Sequence, residues 1–173
     1  MKKKAIFFDR DGVLNKSIKK KGKPFAPTSY SKFYIYKNLE KKIDKLRKKK
    51  YLLYVVTNQP DFNKKSKIEL NKMHQKLMKK FKFNKIFCSH DKNNFSKNKK
   101  PRTGLIRHLL KSKSIDLSKS FVVGDRWRDV DFAYNLKCKS IFIDRKYSEK
   151  LNNKPDYICK STSQAINIIL NYE

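Results

Sequence analysis

Residues 5–15 read AIFFDRDGVLN. Four apolar residues run directly into Asp9, and a short continuous apolar run of this kind is typical of a strand buried on both faces of a parallel sheet. Asp9 and Asp11 stand two positions apart at the carboxyl end of this strand, and Gly12 follows at once. Because ligands bind at that edge of open α/β sheets, the stretch predicts a functional site there.

The two neighbouring carboxylates also predict the kind of ligand. Like charges this close repel each other, and one of them would hold its proton tightly unless a cation lay between them. A hard divalent ion such as Mg2+ prefers oxygen ligands and satisfies this need. Taken alone, however, the pattern Asp-x-Asp-Gly is equally typical of an ordinary polar turn after a strand.

Length and composition indicate one domain covering residues 1–173. Hydrophobic residues make up 38% of the chain, and they are clustered, so we do not expect disorder. The three cysteines are odd in number and widely spaced, at Cys88, Cys138 and Cys159. With neither a signal peptide nor a membrane span in the sequence, free thiols in the cytoplasm and no membrane partner are the expectation.

The formal net charge of +30 has two interpretations. One is a polyanionic partner such as a nucleic acid, because Lys and Arg neutralise phosphates. The other is a lysine-rich composition spread over solvated helix faces, which still attracts anionic substrates at long range. Most of the basic residues are Lys, distributed along the whole chain, which favours the second interpretation and leaves nucleic acid as the less favoured partner.

Strand patterns alternate with helix patterns along the whole chain, which predicts an α/β fold: a three-layer, doubly wound, mostly parallel sheet. Residues 16–31 show neither period and are predicted to form a loop, and residues 33–36 a short extended piece. Neither connection between the first three strands leaves room for a cap domain. The remaining predicted strands are residues 51–56, 86–88, 121–123, 140–144 and 156–158, and the predicted helices are residues 38–50, 66–80, 103–111 and 165–170, with one more after the fourth strand.

Polar and charged residues follow four of these predicted elements, and all should project at the carboxyl edge of the sheet. Phosphoryl transfer requires a nucleophile in line, positive charge on the equatorial oxygens and a proton donor for the leaving oxygen. The candidates for these tasks are Asp9, Asp11, Thr57, Asn58, Lys99, Lys100, Asp125 and Asp129.

The same positions resemble the haloacid dehalogenase superfamily of phosphatases, and within it the lidless branch, subfamily IIIA. That branch includes heptose bisphosphate and histidinol-phosphate phosphatases. The four matching motifs occur in family order: FDRDGVLN at 8–15, VVTNQ at 55–59, KKP at 99–101 followed by Gly104, and VGD at 123–125 followed by Asp129. The resemblance implies a Rossmann-like core without a cap domain.

The resemblance also implies roles for single residues. Asp9 would be the nucleophile and a metal ligand, and Asp11 the general acid and base, with its backbone carbonyl on the metal. Lys100 would neutralise the transferring phosphoryl group, and Asp125 would complete the Mg2+ site. Substrate-binding residues would be Thr57, Asn58, Gln59, Lys99, Lys100 and Arg126.

Two features depart from the family pattern. The relatives carry a zinc-binding loop that opens with Cys-x-His and closes with Cys-x-Cys, and only Cys88 and His90 of it are present here. Two ligands do not make a structural zinc site, so bound zinc is not expected. Lys99 stands where the heptose enzymes have Arg, and Lys lacks the planar fork that binds a phosphate through two bonds.

Together these features predict a Mg2+-dependent phosphomonoester hydrolase that acts through an aspartyl-phosphate. The implied substrate is a phosphorylated sugar such as D-glycero-D-manno-heptose 1,7-bisphosphate, a precursor of cell-envelope glycans. The alternatives are a polynucleotide 3′-phosphatase, a histidinol-phosphate phosphatase and, in a different class, a non-catalytic module that binds through its basic surface. A monomer is the default expectation for the oligomeric state.

Overall fold

The computed structural model describes residues 2–62 and 66–172. Its centre is a six-stranded sheet in which every neighbouring pair is parallel. The strands of this sheet are β1 (Ala5–Phe8), β4 (Leu52–Asn58), β5 (Lys85–Ser89), β6 (Phe121–Gly124), β7 (Lys139–Ile143) and β8 (Tyr157–Cys159). Their order across the sheet is β5-β4-β1-β6-β7-β8. Two further strands, β2 (Ile18–Lys20) and β3 (Lys23–Phe25), form a separate antiparallel hairpin.

In the described residues, five α-helices cover the two faces of the sheet, which confirms the predicted three-layer, doubly wound architecture. They are α1 (Glu40–Lys48), α2 (Lys67–Phe81), α3 (Arg107–Lys111), α4 (Trp127–Leu136) and α5 (Thr162–Leu170). The apolar residues of α1, α2 and α5 share one buried cluster with Ile6 and Phe8. Those of α4 share a second cluster with Ala5 and Phe7. Successive side chains of β1 therefore enter opposite layers, which is why its apolar run is continuous.

The path of the chain defines where a ligand can bind. From β1 the chain builds the sheet outward through β4 and β5, and it then returns to the other side of β1 to add β6, β7 and β8. The strand order therefore reverses between β1 and β6. In doubly wound sheets the crevice at this reversal, beyond the carboxyl ends of the strands, is the usual ligand site.

The structure corrects the prediction that residues 16–31 form a loop. This segment contains the hairpin of β2 and β3, whose turn places Lys21 at φ 47° and Gly22 at φ 73°. Two successive positive φ angles define the tight turn that suits the twist of a two-stranded hairpin. Proline in β3 is tolerated because a strand of an isolated hairpin has an unpaired edge.

Two neighbouring segments are defined more finely by the structure. At residues 33–36 the backbone of Phe33 is extended, as predicted, and Ile35 makes a single bridge to Asn15 without forming a strand. The predicted helix at 103–111 begins with a 3-10 turn at Gly104–Ile106 and is α-helical only over α3. Within residues 2–62 and 66–172, the connection from β1 to β4 holds the hairpin and α1, and the connection from β4 to β5 holds α2, so neither contains a cap domain.

Candidate active site

The turn after β1 contains a glycine that lets Asp125 approach the end of this strand, where Asp9 lies. The backbone amide of Asp9 donates to the carbonyl of Val123 at 2.8 Å, which fixes the end of β1 against β6. Gly12 has φ +81°, and a Cβ at this position would lie 1.7 Å from Oδ2 of Asp125. A side chain at residue 12 is therefore excluded both by backbone strain and by the close approach of Asp125.

Three carboxylates meet at this edge of the sheet. Asp9, Asp125 and Asp129 each offer an oxygen, and these oxygens all lie within 4.8 Å of one another. Asp125 and Asp129 are buried, at 1% and 2% exposure. Burial raises the pKa of Asp125 well above its ordinary value, and the charges of Asp9 and Asp129 raise it further. Burial likewise raises the pKa of Asp129.

These three groups fit a divalent cation. Oδ1 of Asp125 is buried and has no hydrogen-bond partner among the residues that the structure describes. A buried carboxylate oxygen without a partner is costly in free energy, and a cation bound by the three carboxylates would remove both this cost and their mutual repulsion. Oxygen-only ligands of this kind suit Mg2+.

Lys100 is the positive counterpart of the cluster. Its Nζ donates to Oδ1 of Asp9 at 2.8 Å and to Oδ1 of Asp129 at 2.6 Å, and its side chain is 3% exposed. Burial lowers the pKa of Lys100, but the charges of Asp129 and Asp9 outweigh this effect and raise the pKa above its usual value. Lys100 therefore stays an ammonium group beside Asp9.

Asp11 lines the same cavity but does not belong to the three-carboxylate cluster. Its Oδ1 accepts a hydrogen bond from Asn15 Nδ2 at 2.8 Å, and its Oδ2 accepts one from Gln59 Nε2 at 2.6 Å. The guanidinium of Arg10 completes an ion pair at 3.0 Å. We expected the backbone carbonyl of Asp11, not its side chain, to bind the metal ion, and this stays a prediction.

Arg10 is a buried cation that the sequence did not single out. Its exposure is 0%, and its guanidinium lies 5.6 Å from the ring centre of Phe33 and 5.9 Å from that of Phe62. It also donates to Oε1 of Gln59 at 2.9 Å and lies 3.4 Å from Nε2 of His74. Arg10 and Gln59 together hold the carboxylate of Asp11 in one orientation.

The carboxyl end of β4 contributes two polar side chains to the site, those of Thr57 and Asn58. Oγ1 of Thr57 accepts from Nε2 of Gln59 at 2.7 Å. Asn58 makes two hydrogen bonds with the backbone of Lys100, at 3.0 Å to its amide and 3.1 Å to its carbonyl. The side chain of Asn58 thus fixes the loop that carries Lys100, and Thr57 and Asn58 both line the cavity beside Asp9.

Tyr147, in the segment between β7 and β8, is a second residue that sequence reasoning missed. Its hydroxyl donates to Oδ2 of Asp125 at 2.8 Å and lies 2.6 Å from Oγ of Ser17. No local sequence pattern marks it, since it is joined to Asp125 only by the folding of the chain. It holds one oxygen of Asp125, while the other oxygen remains available.

The cavity above these groups has a volume of about 280 Å3. Its lining includes seven of the nine predicted site residues: Asp9, Asp11, Thr57, Asn58, Lys100, Asp125 and Arg126. Two are placed elsewhere. Gln59 is buried beneath the cavity, and Lys99 is directed into its own loop, where Nζ donates to Oδ1 of Asn94 at 2.9 Å.

Arg126 lines the cavity but is already paired. Its Nε donates to Oε2 of Glu149 at 2.9 Å, and its guanidinium also contacts Oε1 of the same carboxylate. Cys88 and His90 line a separate, shallow cavity. Among the described residues, only Asp9, Asp125 and Asp129 form a group of His, Cys, Asp or Glu that could hold a metal ion. The expectation that Cys88 and His90 bind no zinc stays a prediction.

The chain belongs to the haloacid dehalogenase-like hydrolases. The model of that family matches residues 6–143, a span that contains all four motifs. This confirms the resemblance inferred from the sequence and the prediction of an enzyme of a hydrolase family.

Curated relatives share sequence with most of the chain. The histidine biosynthesis bifunctional protein HisB of Blochmanniella floridana is 34% identical over 149 residues, which cover 82% of this chain and 41% of that protein. The protein of the same name from Campylobacter jejuni subsp. jejuni is 31% identical over 160 residues, covering 86% of this chain and 43% of that one. The chain thus spans less than half the length of these relatives.

Solved structures share the fold. The D,D-heptose 1,7-bisphosphate phosphatase from B. bronchiseptica, crystallised with magnesium and phosphate, superposes with a TM-score of 0.78 at 22% identity, covering 96% of this chain and 98% of that one. The enzyme of that name from Burkholderia thailandensis gives a TM-score of 0.65 at 18% identity, covering 98% and 100%. In the described part of this chain, no helix is long and apolar enough to cross a membrane.

Proposed function

We propose that the chain is a Mg2+-dependent phosphatase in which Asp9 is the nucleophile. The observation that carries this proposal is the contact of Lys100 Nζ with Asp9, 2.8 Å away, inside a cluster of three carboxylates at the reversal of strand order. Asp9 and Asp125 would hold the ion, as the resemblance implies, and Asp129 lies within reach of the same position. When bound, Mg2+ would supply positive charge for the oxygens of the phosphoryl group.

The residues of the chain account for both halves of the reaction. A carboxylate oxygen of Asp9 forms a bond to phosphorus as the bond from phosphorus to the leaving oxygen breaks, and Asp11 gives that oxygen its proton. Water then attacks the aspartyl-phosphate, Asp11 takes the water's proton, and inorganic phosphate leaves with Asp9 regenerated. Lys100 and Asn58 stabilise the phosphoryl group throughout.

The cavity supports a small substrate. Its volume of about 280 Å3 lies just below the roughly 300–1,000 Å3 of sites for drug-sized ligands, and a sugar phosphate is of this scale. A phosphorylated sugar such as D-glycero-D-manno-heptose 1,7-bisphosphate is therefore our first candidate, and the shared fold with two heptose bisphosphate phosphatases supports it. Histidinol phosphate is the second candidate, because the relatives at 31–34% identity are histidine biosynthesis proteins.

The test of the reaction is hydrolysis of p-nitrophenyl phosphate with Mg2+, with and without EDTA. We expect activity that EDTA abolishes and added Mg2+ restores. Asp9→Asn should reduce turnover to background while the protein remains folded. Asp44→Asn, on the exposed face of α1, makes the same chemical change away from the cavity and should keep full activity. Normal turnover by Asp9→Asn would refute the assignment of the nucleophile.

The candidate substrates are distinguished by measuring phosphate release from a panel that contains heptose bisphosphate, other sugar phosphates, histidinol phosphate and a 3′-phosphorylated oligonucleotide. The highest kcat/KM should be for a phosphorylated sugar. A higher value for histidinol phosphate would favour the second candidate, and a higher value for the oligonucleotide would refute both.

A further inference from the structure

The wall of the cavity beside Asp9 contains an arginine that forms no ion pair with any residue that the structure describes. Arg128 lies in the first turn of α4 and lines the cavity. Its Nε is buried and has no hydrogen-bond partner in the part of the chain that the structure describes. The nearby Arg126 differs, because its guanidinium is paired with Glu149. Two arginines therefore face the cavity, and only one of them is neutralised.

The charge of Arg128 is held in an unfavourable position. Burial lowers the pKa of Arg128, and the neighbouring charge of Arg126 lowers it further, so the folded protein destabilises this cation. The carboxylates of Asp9, Asp129 and Glu149 attract it from a distance, but none of them forms an ion pair with it among the described residues. The one aromatic contact, with the ring of Trp127 at 5.2 Å, does not neutralise the charge.

The reacting phosphoryl group has other positive charge beside it. At Asp9 it would meet the ammonium of Lys100 and, when bound, the metal ion of the three-carboxylate cluster. Lys99, the position at which the sequence predicted further substrate contacts, is occupied with Asn94 in its own loop. An additional anion in the cavity would therefore find its partner at Arg128.

We infer that Arg128 recognises a second anionic group, a phosphate or a carboxylate, on a substrate whose reacting phosphate lies at Asp9. This inference rests on the proposed function and narrows its substrate class to molecules with two anionic groups. The guanidinium offers a planar set of donors that can bind such a group through two bonds. Arg128 is thus a specificity-determining residue.

The test is competition by a matched pair of sugars against hydrolysis of p-nitrophenyl phosphate, with Mg2+ in large excess. The pair is fructose 6-phosphate and fructose 1,6-bisphosphate, which differ by one phosphate. For the natural chain we expect the inhibition constant of the bisphosphate to be lower by about tenfold, equivalent to about 1.4 kcal/mol. In Arg128→Met this preference should fall to less than about twofold.

The controls separate a second-anion contact from other roles. Arg128→Lys keeps the charge and should retain part of the preference. Arg107→Met removes one arginine from the exposed side of α3, outside the cavity, and should retain all of it. Near-UV and far-UV circular dichroism will show whether each variant is folded, and Arg128→Lys carries the test if Arg128→Met is not.

Three results would overturn the inference. They are equal inhibition constants of the two sugars in the natural chain, an unchanged preference in Arg128→Met, and an equal weakening of both sugars, which would place Arg128 at the reacting phosphate. Failure of the proposed function would look different, because the natural chain would not hydrolyse p-nitrophenyl phosphate at all. In that case the same sugars and variants would be compared by the thermal shift they produce, with the same expected preference.

Discussion

Replacement of Tyr147 by Phe tests how the proposed Mg2+ site is held. The change removes one hydroxyl, which donates to Oδ2 of Asp125 at 2.8 Å and contacts Ser17 at 2.6 Å, and leaves the ring in place. Oδ2 of Asp125 also faces Gly12, where there is no room for another group. Without the hydroxyl, Asp125 can rotate and its free oxygen loses its fixed direction toward the metal position.

The expected size of the effect follows from the hydrogen bond. A hydrogen bond to a charged group contributes about 1.5–3 kcal/mol. If most of this is lost from the metal-bound state, affinity for Mg2+ falls roughly 10- to 100-fold, the range typical of residues that orient a metal ligand. Because Tyr147 does not contact the phosphoryl position, kcat at saturating Mg2+ should change much less.

The assay is a Mg2+ titration of p-nitrophenyl phosphate hydrolysis, repeated as a titration of the melting temperature, which does not depend on turnover. Tyr36→Phe is the matched control, since Tyr36 is a half-buried tyrosine under Arg145 whose hydroxyl makes no hydrogen bond to Asp125. An unchanged Mg2+ affinity in Tyr147→Phe, or an equal loss in both variants, would refute the reasoning.

Three further changes give separate expected outcomes. Gly12→Ala places a Cβ 1.7 Å from Asp125 Oδ2, so Asp125 must move and phosphatase activity should be lost. Because φ is positive at this position, urea denaturation should also show a free energy of unfolding lower by about 1–2 kcal/mol from backbone strain alone. The pKa of His74 is lowered from 6.5 to about 4, mainly because the ring is buried. The unfolded chain therefore binds the proton more tightly than the folded protein, and the free energy of unfolding should fall as the pH drops from about 6.5 to 4. This contribution, at most about 3 kcal/mol, should be absent from urea denaturation curves of His74→Gln. Lys100→Met leaves the buried carboxylate of Asp129 unpaired, so in EDTA it should lower the free energy of unfolding by about 3–5 kcal/mol, against about 1 kcal/mol for Lys99→Met.

The sequence was sufficient for the architecture and for the residues that follow strands. A short continuous apolar run such as that before Asp9 is typical of a strand covered on both faces, and parallel strands bring their carboxyl ends to one edge. Asp9, Thr57, Lys100 and Asp125 could therefore be placed in one cavity without knowledge of any contact between them. Four motifs in order supplied the family.

The residues that were missed are those defined by contacts between distant segments. Tyr147 reaches Asp125 from a loop that has no periodic pattern, and Arg10 looks like an exposed charge until Phe33 and Phe62 are seen on its two sides. The hairpin of β2 and β3 was missed because its turn is Lys21-Gly22, a weaker signal than Asn-Gly or Asp-Gly.

Pairing of charges is likewise invisible in the sequence. Arg126 and Arg128 are alike in composition and almost adjacent, but Glu149, more than twenty positions away, neutralises only the first. Lys99 and Lys100 are neighbours, yet one is hydrogen-bonded within its loop and the other is bound between two carboxylates. Which basic residue is free to meet a substrate is decided by the partners that the fold brings to it.

The same distinction bears on the net charge of +30. Lys99 and Lys100 are the only buried lysines among the residues that the structure describes, so the other described lysines contact solvent and their fields are screened by salt. The electrostatics at Asp9 are instead set by Lys100 and by two buried carboxylates, where the local dielectric is low and screening is weak. The surface charge can therefore raise the local concentration of an anionic substrate, whereas the chemistry depends on a few groups that a count of lysines does not identify.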